Sequence, residues 1–507
     1  MPLTNYQIPG VYVTQSGTSL VSIAPNSLNI TIVADQATPG TATDTFYGVT
    51  GSGAIVGQLS TPMVNTTYTG TYTAFSGFSV TWVSGTTTTT GVSGVNFNLS
   101  TPTGQPFTFI TTSGITGTPV SGTVSVTYGH NWGAYGSYTN FNALSSAIGT
   151  AVSGTTVLNP AVLAAQLAYQ NGAKTVNVLP VARVSGVTAA NDADWLRVFN
   201  ASAVGSDQTY LANFVGTDVV VPLYGFVTSS GTVQTAGAGT VASGVNSYLT
   251  TQSGNGVFQR AFIGVNGTQN QATTSGLQTL ASGLNSTRVS LVFPASITYN
   301  PGFNTATALA STNFNIPGYY LAAAIAGTFV GQPSVATPVT NKQVSGFVDV
   351  PNQISAGDAQ TNYLPYGILT VRKKRDGNFW ILHGLTTNVN NWFTAEVSIN
   401  AIGDRLANQI KSDLDNSFLV GGPLTKNTSA AVLGTVQATL TNAVSNGLIQ
   451  SYQNLALTTN PATPTTVNVT FQYAPTYPIS YIQVTLSLNS QTGQITYGNA
   501  QSNFVVY

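Results

Sequence analysis

The chain has no cysteine, one glutamate (Glu396), two histidines (His130 and His383) and two methionines. Without thiols there can be no disulfide, thiolate metal site or cysteine nucleophile. With one glutamate, a paired-carboxylate hydrolase would have to use aspartates. Asp192 and Asp194 are two positions apart and share no helix face. Neither histidine has His, Cys or Glu at ligand spacing, so no zinc site is expected. The glycine-rich stretches lack the GxxxxGK[ST] pattern, so nothing signals a phosphate cradle. No cofactor and no catalytic centre is expected.

Charge is the other shortage. Asp, Glu, Lys and Arg make up 5% of the chain, where globular domains carry about a quarter. Between Asp44 and Lys174, 129 residues pass without one of them, whereas 15 fall between Lys342 and Lys426. Net charge is zero and 42% of residues are hydrophobic, which is ample for packed cores and unlike disorder. Zero net charge removes the repulsion that keeps copies apart, and a large uncharged Gly/Thr/Ser/Asn surface favours a protein that lives against copies of itself. The lack of a basic excess argues against nucleic acid. No run of 18 apolar residues exists, so membrane insertion is not expected. The opening Met-Pro-Leu-Thr-Asn-Tyr is not a cationic-then-apolar signal, and the expectation is assembly in a cytoplasm.

Residues 1–25 read as an extended arm, with Pro9, Gly10, Val11, Tyr12 and Val13 forming a turn and a short strand. Leu28 to Ala34 reads as a buried strand. Residues 38–128 alternate Thr, Val, Tyr and Phe between glycine turns, which predicts an inserted β-sandwich or small barrel. Its aromatics, such as Phe78, Trp82 and Phe97, are read as core rather than as a carbohydrate platform. Helices are predicted over 141–148, 159–170 (with an Asn159 cap and Pro160 behind it) and 192–203. Strands at 175–179, 211–215, 261–265 and 289–293 give an α/β layer. Residues 216–250 read as a loop excursion. The charged third opens with a hairpin turning at Asp376-Gly377. A helix follows, with Ile402, Leu406, Ile410, Leu414 and Phe418 on one stripe beside Asp404, Arg405, Lys411 and Asp413. Asp404 and Asp413 read as solvated or ion-paired. A second helix carries Leu433, Val436, Leu440 and Val444, and strands at 467–473 and 482–488 close the fold. The tail, with Phe504, Val505 and Val506, has strand character and no local partner.

In this order and spacing the chain resembles the contractile tail sheath proteins of bacteriophages. The resemblance rests on Pro9-Gly10-Val11-Tyr12-Val13, on residues 161–179, on 316–331 with 341–350, and most strongly on 371–451, about half the chain. The last stretch holds the Asp-Gly hairpin, His383-Gly384-Leu385-Thr386-Thr387, the helix with Asp404 and Arg405, and Asn446-Gly447-Leu448-Ile449. At Ser398-Ile399-Asn400-Ala401 it departs from the family, which often has an arginine near the start of the long helix.

The resemblance implies an α/β and β multidomain fold. Its parts would be an N-terminal arm (1–25), an α/β middle domain (26–37 and 129–343), an inserted all-β outer domain (38–128), an α+β C-terminal inner domain (344–490) and a C-terminal arm (491–507). It implies a virion tail protein that stacks as hexameric rings around an inner tube and contracts to drive that tube through a host envelope. Its partners would be itself, the tail tube protein, and baseplate and terminator proteins. Both arms would add strands to a neighbour's sheet. Lys373, Lys374, Arg375, Asp404, Arg405 and Lys411 are candidates for facing the tube or a neighbour. The basic hairpin tip reads as such a contact rather than a nucleic-acid patch. The alternative is a surface-array or capsid-decorating coat protein.

Overall fold

The computed structural model describes residues 28–497 with breaks. Its breaks of five residues or more are 59–78, 101–108, 131–135, 182–189, 200–210, 212–216, 267–272, 302–312, 418–422, 479–485 and 489–494. Residues 1–27 and 498–507 also lie outside the described residues, and with them the arm candidates Pro9 to Val13 and Phe504 to Val506.

A nine-stranded sheet organises the middle of the chain. Its strands are β1 (Ile30–Asp35), β2 (Gly136–Tyr138), β3 (Val176–Val181), β4 (Val219–Pro222), β5 (Arg260–Gly264), β6 (Val289–Phe293), β7 (Gln343–Val344), β8 (Ile368–Lys373) and β9 (Phe379–Ile381). They lie in the order β7-β9-β8-β6-β5-β4-β1-β3-β2. From β8 across to β3 every neighbouring pair is parallel, and the flanking pairs are antiparallel. A parallel sheet must be covered on both faces, and the side chains show it. Ile30, Ile32 and Ala34 enter one core with Val176, Val178, Val219 and Val221. Val33, Leu179, Val181 and Val220 point the other way into a second.

Helices α1 (Phe141–Ile148) and α2 (Pro160–Gln170) cover the first face, joined by α6 (Tyr319–Val330). Helices α3 (Asp192–Phe199), α4 (Val241–Gly254) and α5 (Thr274–Leu284) cover the second. Helix α2 starts where its sequence says. Asn159 caps it by accepting from the Val162 N–H, and Pro160 takes the first turn, where its missing N–H costs nothing. Helix α6 is buried on all sides from Tyr320 to Val330, as its almost wholly apolar sequence requires, and the polar side chain of Thr328 donates to the Ala324 carbonyl.

Between β1 and β2 the chain makes a four-stranded and a three-stranded antiparallel sheet around Val80, Trp82, Phe97, Ile110, Val124 and Val126. Trp82 and Phe97 therefore pack inward. The last part carries α7 (Val397–Asn416), α8 (Lys426–Ser445) and the hairpin of β10 (Ile449–Asn460) with β11 (Thr463–Pro475). Ile402, Leu406, Ile410, Val436, Leu440 and Ile449 form its core, with Val469, Phe471 and Tyr473 against it.

Three expectations change. Residues 216–250 are no loop excursion: they supply β4, between β1 and β5 in the sheet, and the first ten residues of α4. The Asp-Gly hairpin, placed by sequence with the C-terminal unit, pairs through β8 with β6 and so extends the central sheet. The strand at 467–473 pairs with 449–460, which sequence left unread, while 486–488 pairs with 495–497. Of the strand expected at 211–215, only Leu211 is described, and it is buried.

Candidate assembly surfaces and a buried ionic junction

The hairpin β10–β11 is a largely exposed element of the C-terminal unit. One face, with Tyr452, Leu455, Val469, Phe471 and Tyr473, rests on the α7–α8 core and stays half-buried. The other face carries exposed Gln453, Thr458, Asn468, Thr470 and Gln472. Among the described residues this sheet has two strands and no third. Among the described residues no strand lies along the outer edges of these two long strands, and such an edge readily accepts another strand.

The basic tip sits at the far end of the central sheet. Lys373 pairs with Asp349 at 3.3 Å and lies over the Phe379 ring. Lys374 Nζ donates to Asn341 Oδ1 and stands 4.1 Å from the Trp380 ring centroid. Asp376 accepts from the Asn378 backbone and the Trp380 indole, which hold its carboxyl below the ordinary range. Lys374 and Arg375 are exposed. On α7, Lys411 pairs with Asp415 at 2.8 Å, one turn on, and both are exposed.

Asp404 differs from these neighbours. It is 6% exposed, and Arg260 and Arg288 both donate to its Oδ2. Its expected place on a surface facing a tube or neighbour is therefore corrected: two arginines of the central sheet hold it inside. Arg260 opens β5 and Arg288 immediately precedes β6, so both lie at the N-terminal ends of parallel strands. Arg260 also donates to the Val397 carbonyl at the start of α7, at 3.2 Å. The first two turns of α7 are thereby seated on one end of the sheet. Arg405, half-buried, lines the same cavity of about 30 Å³ as Asp218, Arg260 and Asp404. These charges come from four distant stretches of chain, and no local pattern in the sequence announces that they meet.

His383 and the lone glutamate, Glu396, face each other inside the fold. His383 Nδ1 is 3.4 Å from Glu396 Oε2, and Ser398 donates to Glu396 Oε1 at 3.1 Å. Glu396 is fully buried, so the pair opens to no substrate. Among the described residues no group of three or more acidic or histidine side chains could hold a metal ion, and no helix is long and apolar enough to cross a membrane.

Residues 393–489, which cover α7, α8 and the hairpin, match the phage tail sheath C-terminal domain family. A curated tail sheath protein of Mycobacterium phage Bxz1 is 27% identical over 335 residues, 66% of this chain. The match spans about half, 52%, of that relative's length. Among solved structures, the fold aligns with a chain of the six-fold symmetrised anti-feeding prophage baseplate at a TM-score of 0.54 and 11% identity, covering 96% of this chain and 100% of that one. The contracted anti-feeding prophage sheath aligns at 0.52 and 11% over the same shares. The contracted sheath complex of an extracellular contractile injection system aligns at 0.50 and 10%, covering 96% of this chain and 99% of the other. At these identities the likeness is one of fold: a mixed α/β chain of several sheets and helices, as in sheath structures.

Proposed function

For a chain that carries the phage tail sheath C-terminal domain and shares the sheath fold over nearly its whole length, we propose the role of structural subunit in a contractile tail sheath. Its relatives are sheath proteins and not enzymes. In this reading, copies stack as hexameric rings around an inner tube, within a virion tail assembled in a bacterial cytoplasm. Contraction then drives the tube through the host envelope. The tail tube, baseplate and terminator proteins are its partners.

One observation carries the assembly step: β10–β11 is a long two-stranded sheet with open edges among the described residues. Such a hairpin is marginal alone and gains stability from added strands. Two segments of the chain suit that role by sequence, Pro9 to Val13 and Phe504 to Val506. Each arm would lie along a neighbour's hairpin edge, and a handful of backbone hydrogen bonds at about 0.5–1.5 kcal/mol each gives a link of a few kcal/mol. Multiplied over a ring, such links survive a rigid-body rotation of subunits.

Electron microscopy of the purified full-length chain tests this directly. Hollow tubes or stacked rings with six-fold end views are expected. Deletion of residues 1–20 is expected to leave a folded chain that no longer polymerises. Flat sheets would instead support a surface-array coat, and normal tubes from the truncated chain would remove the arm from the mechanism.

A further inference from the structure

Five of the chain's few charged side chains gather where α7 meets the central sheet: Asp218, Arg260, Arg288, Asp404 and Arg405. Three parts of the fold meet there. Asp218 directly precedes β4, Arg260 opens β5, and Arg288 directly precedes β6. Asp404 and Arg405 belong to α7. Leu28, where the described chain enters the fold, lines the cavity, and the next residue, Asn29, donates its backbone N–H to Asp218 Oδ2 at 2.8 Å. Asp404 Oδ1 is buried and accepts no hydrogen bond among the described residues, although Oδ2 serves two arginines. The cluster therefore has two carboxylates and an arginine, Arg260, placed between them.

We propose that this junction is a proton-controlled lock: Asp218 and Asp404 share Arg260, and protonation of Asp218 leaves that arginine to Asp404 and tightens the seat of α7 on the sheet. The groups that face Asp218 are Arg260 from β5, Arg405 and Asp404 from α7, and the Asn29 N–H from the chain entry. Arg288 faces Asp404 from the start of β6. Phe258, Phe329, Val335 and Ala401 complete the wall and supply no charge.

The direction of the effect follows from the surroundings. Burial pushes the Asp218 carboxyl up from 3.8 to about 6. The Asn29 hydrogen bond and the attraction of Arg260 and Arg405 oppose that rise, and the charge of Asp404 adds to it. A carboxyl whose pKa is higher in the folded state takes up a proton on folding within that interval. Its contribution favours the fold fully below pH 3.8 and is lost as pH rises through about 6. An ion-paired carboxylate with a depressed pKa does the opposite, so this site is distinguishable from ordinary acid destabilisation.

The test compares the full-length chain with Asp218→Asn in thermal and urea unfolding at about pH 5 and about pH 7.5. The neutral amide keeps an acceptor for Asn29 and removes the competing charge. The variant is expected to be the more stable at the higher pH, with its advantage shrinking roughly tenfold in the folding equilibrium on acidification. An advantage that stays constant or grows on acidification overturns the proposal. Arg405→Met provides a second reading that survives a failure of the first variant. Loss of one attraction on the carboxylate should move the pH midpoint of hydrogen-exchange protection in residues 397–406 upward. A midpoint that stays or falls overturns the lock.

Discussion

Gly327 on α6 and Ala168 on α2 meet backbone to backbone: a Cβ added to Gly327 would overlap the Ala168 carbonyl oxygen and stand 2.9 Å from its Cα. One turn further on, Gly331 and Gly172 repeat the approach, at 2.8 Å from the Gly172 Cα. Two of the helices that cover one face of the central sheet, α2 and α6, thus approach at points where α6 has no room for a side chain. Gly327→Ala separates two effects of opposite sign. Helix propensity alone would raise stability by about 1 kcal/mol. Overlap with backbone atoms, which cannot swing aside, costs about 1–3 kcal/mol or more. The expected net result is destabilisation, read as a lower urea midpoint. A midpoint that rises would mean that α2 and α6 can part without loss.

Asp404 gives the second prediction. Asp404→Ala leaves Arg260 and Arg288 buried together without their shared carboxylate, a situation that costs about 3–5 kcal/mol. Replacing the three ion-paired side chains with apolar ones (Arg260→Met, Arg288→Met and Asp404→Leu together) should recover part of that loss, because their desolvation penalty goes with their charges while Asp218 keeps its own. Calorimetry on the single and triple variants checks the order. A triple variant less stable than Asp404→Ala would show that the arginines contribute through packing on Phe329 and Phe258 rather than through charge.

Much of the central sheet was legible because strands buried on both faces must be continuous apolar runs. Residues 28–34 read that way, and 175–179, 261–265 and 289–293 read as further strands among helices. Strand β4, Val219-Val220-Val221-Pro222, is itself such a run, hidden in a Gly/Thr-rich stretch, whereas helix α4 was missed for a physical reason. Helix α4 is built from Gly, Ser, Thr and Asn around only five apolar residues, Val241, Ala242, Val245, Tyr248 and Leu249, so its stripe is diluted below notice. Strand β10 escaped because its register shifts between Gln453 and Ala456, with Asn454 in left-handed backbone, and the two-residue alternation breaks. The Asp404 junction was illegible in principle. Its partners lie 144 and 116 positions away, and two arginines converge on one carboxylate only after the sheet has formed.

The exposed cations yield a prediction that separates assembly from folding. Lys411 and Asp415 form a solvent-facing pair on α7, and Lys374 rests on Trp380 at the hairpin tip. Such contacts stabilise a fold by roughly 0–1 kcal/mol. Reversing Lys374, Arg375 and Lys411 to Glu should therefore leave the unfolding temperature nearly unchanged. Polymerisation, followed by light scattering or sedimentation, should weaken and become less sensitive to salt than in the parent chain, because screened attractions have been removed. Unchanged polymers at low and moderate salt would exclude these three residues from the contacts between copies.

The absence of cysteine makes the arm reading open to a covalent test. Asn468 is exposed on β11, in the strand whose outer edge is open among the described residues. Val11 lies in the N-terminal segment of alternating strand character. Val11→Cys and Asn468→Cys together introduce the only two thiols in the chain, so any disulfide must involve them. If the arm of one copy adds a strand beside β11 of another, the two Cα atoms can come within the 4.4–6.8 Å or so that a disulfide spans. Mild oxidation of assembled material should then give a ladder of covalent oligomers on a denaturing gel, collapsed by reductant. Each single variant should give dimers at most, since one thiol per chain cannot extend a polymer. A double variant that yields only intramolecular product would place the arm on its own hairpin, and one that yields no product would place it elsewhere on the neighbour.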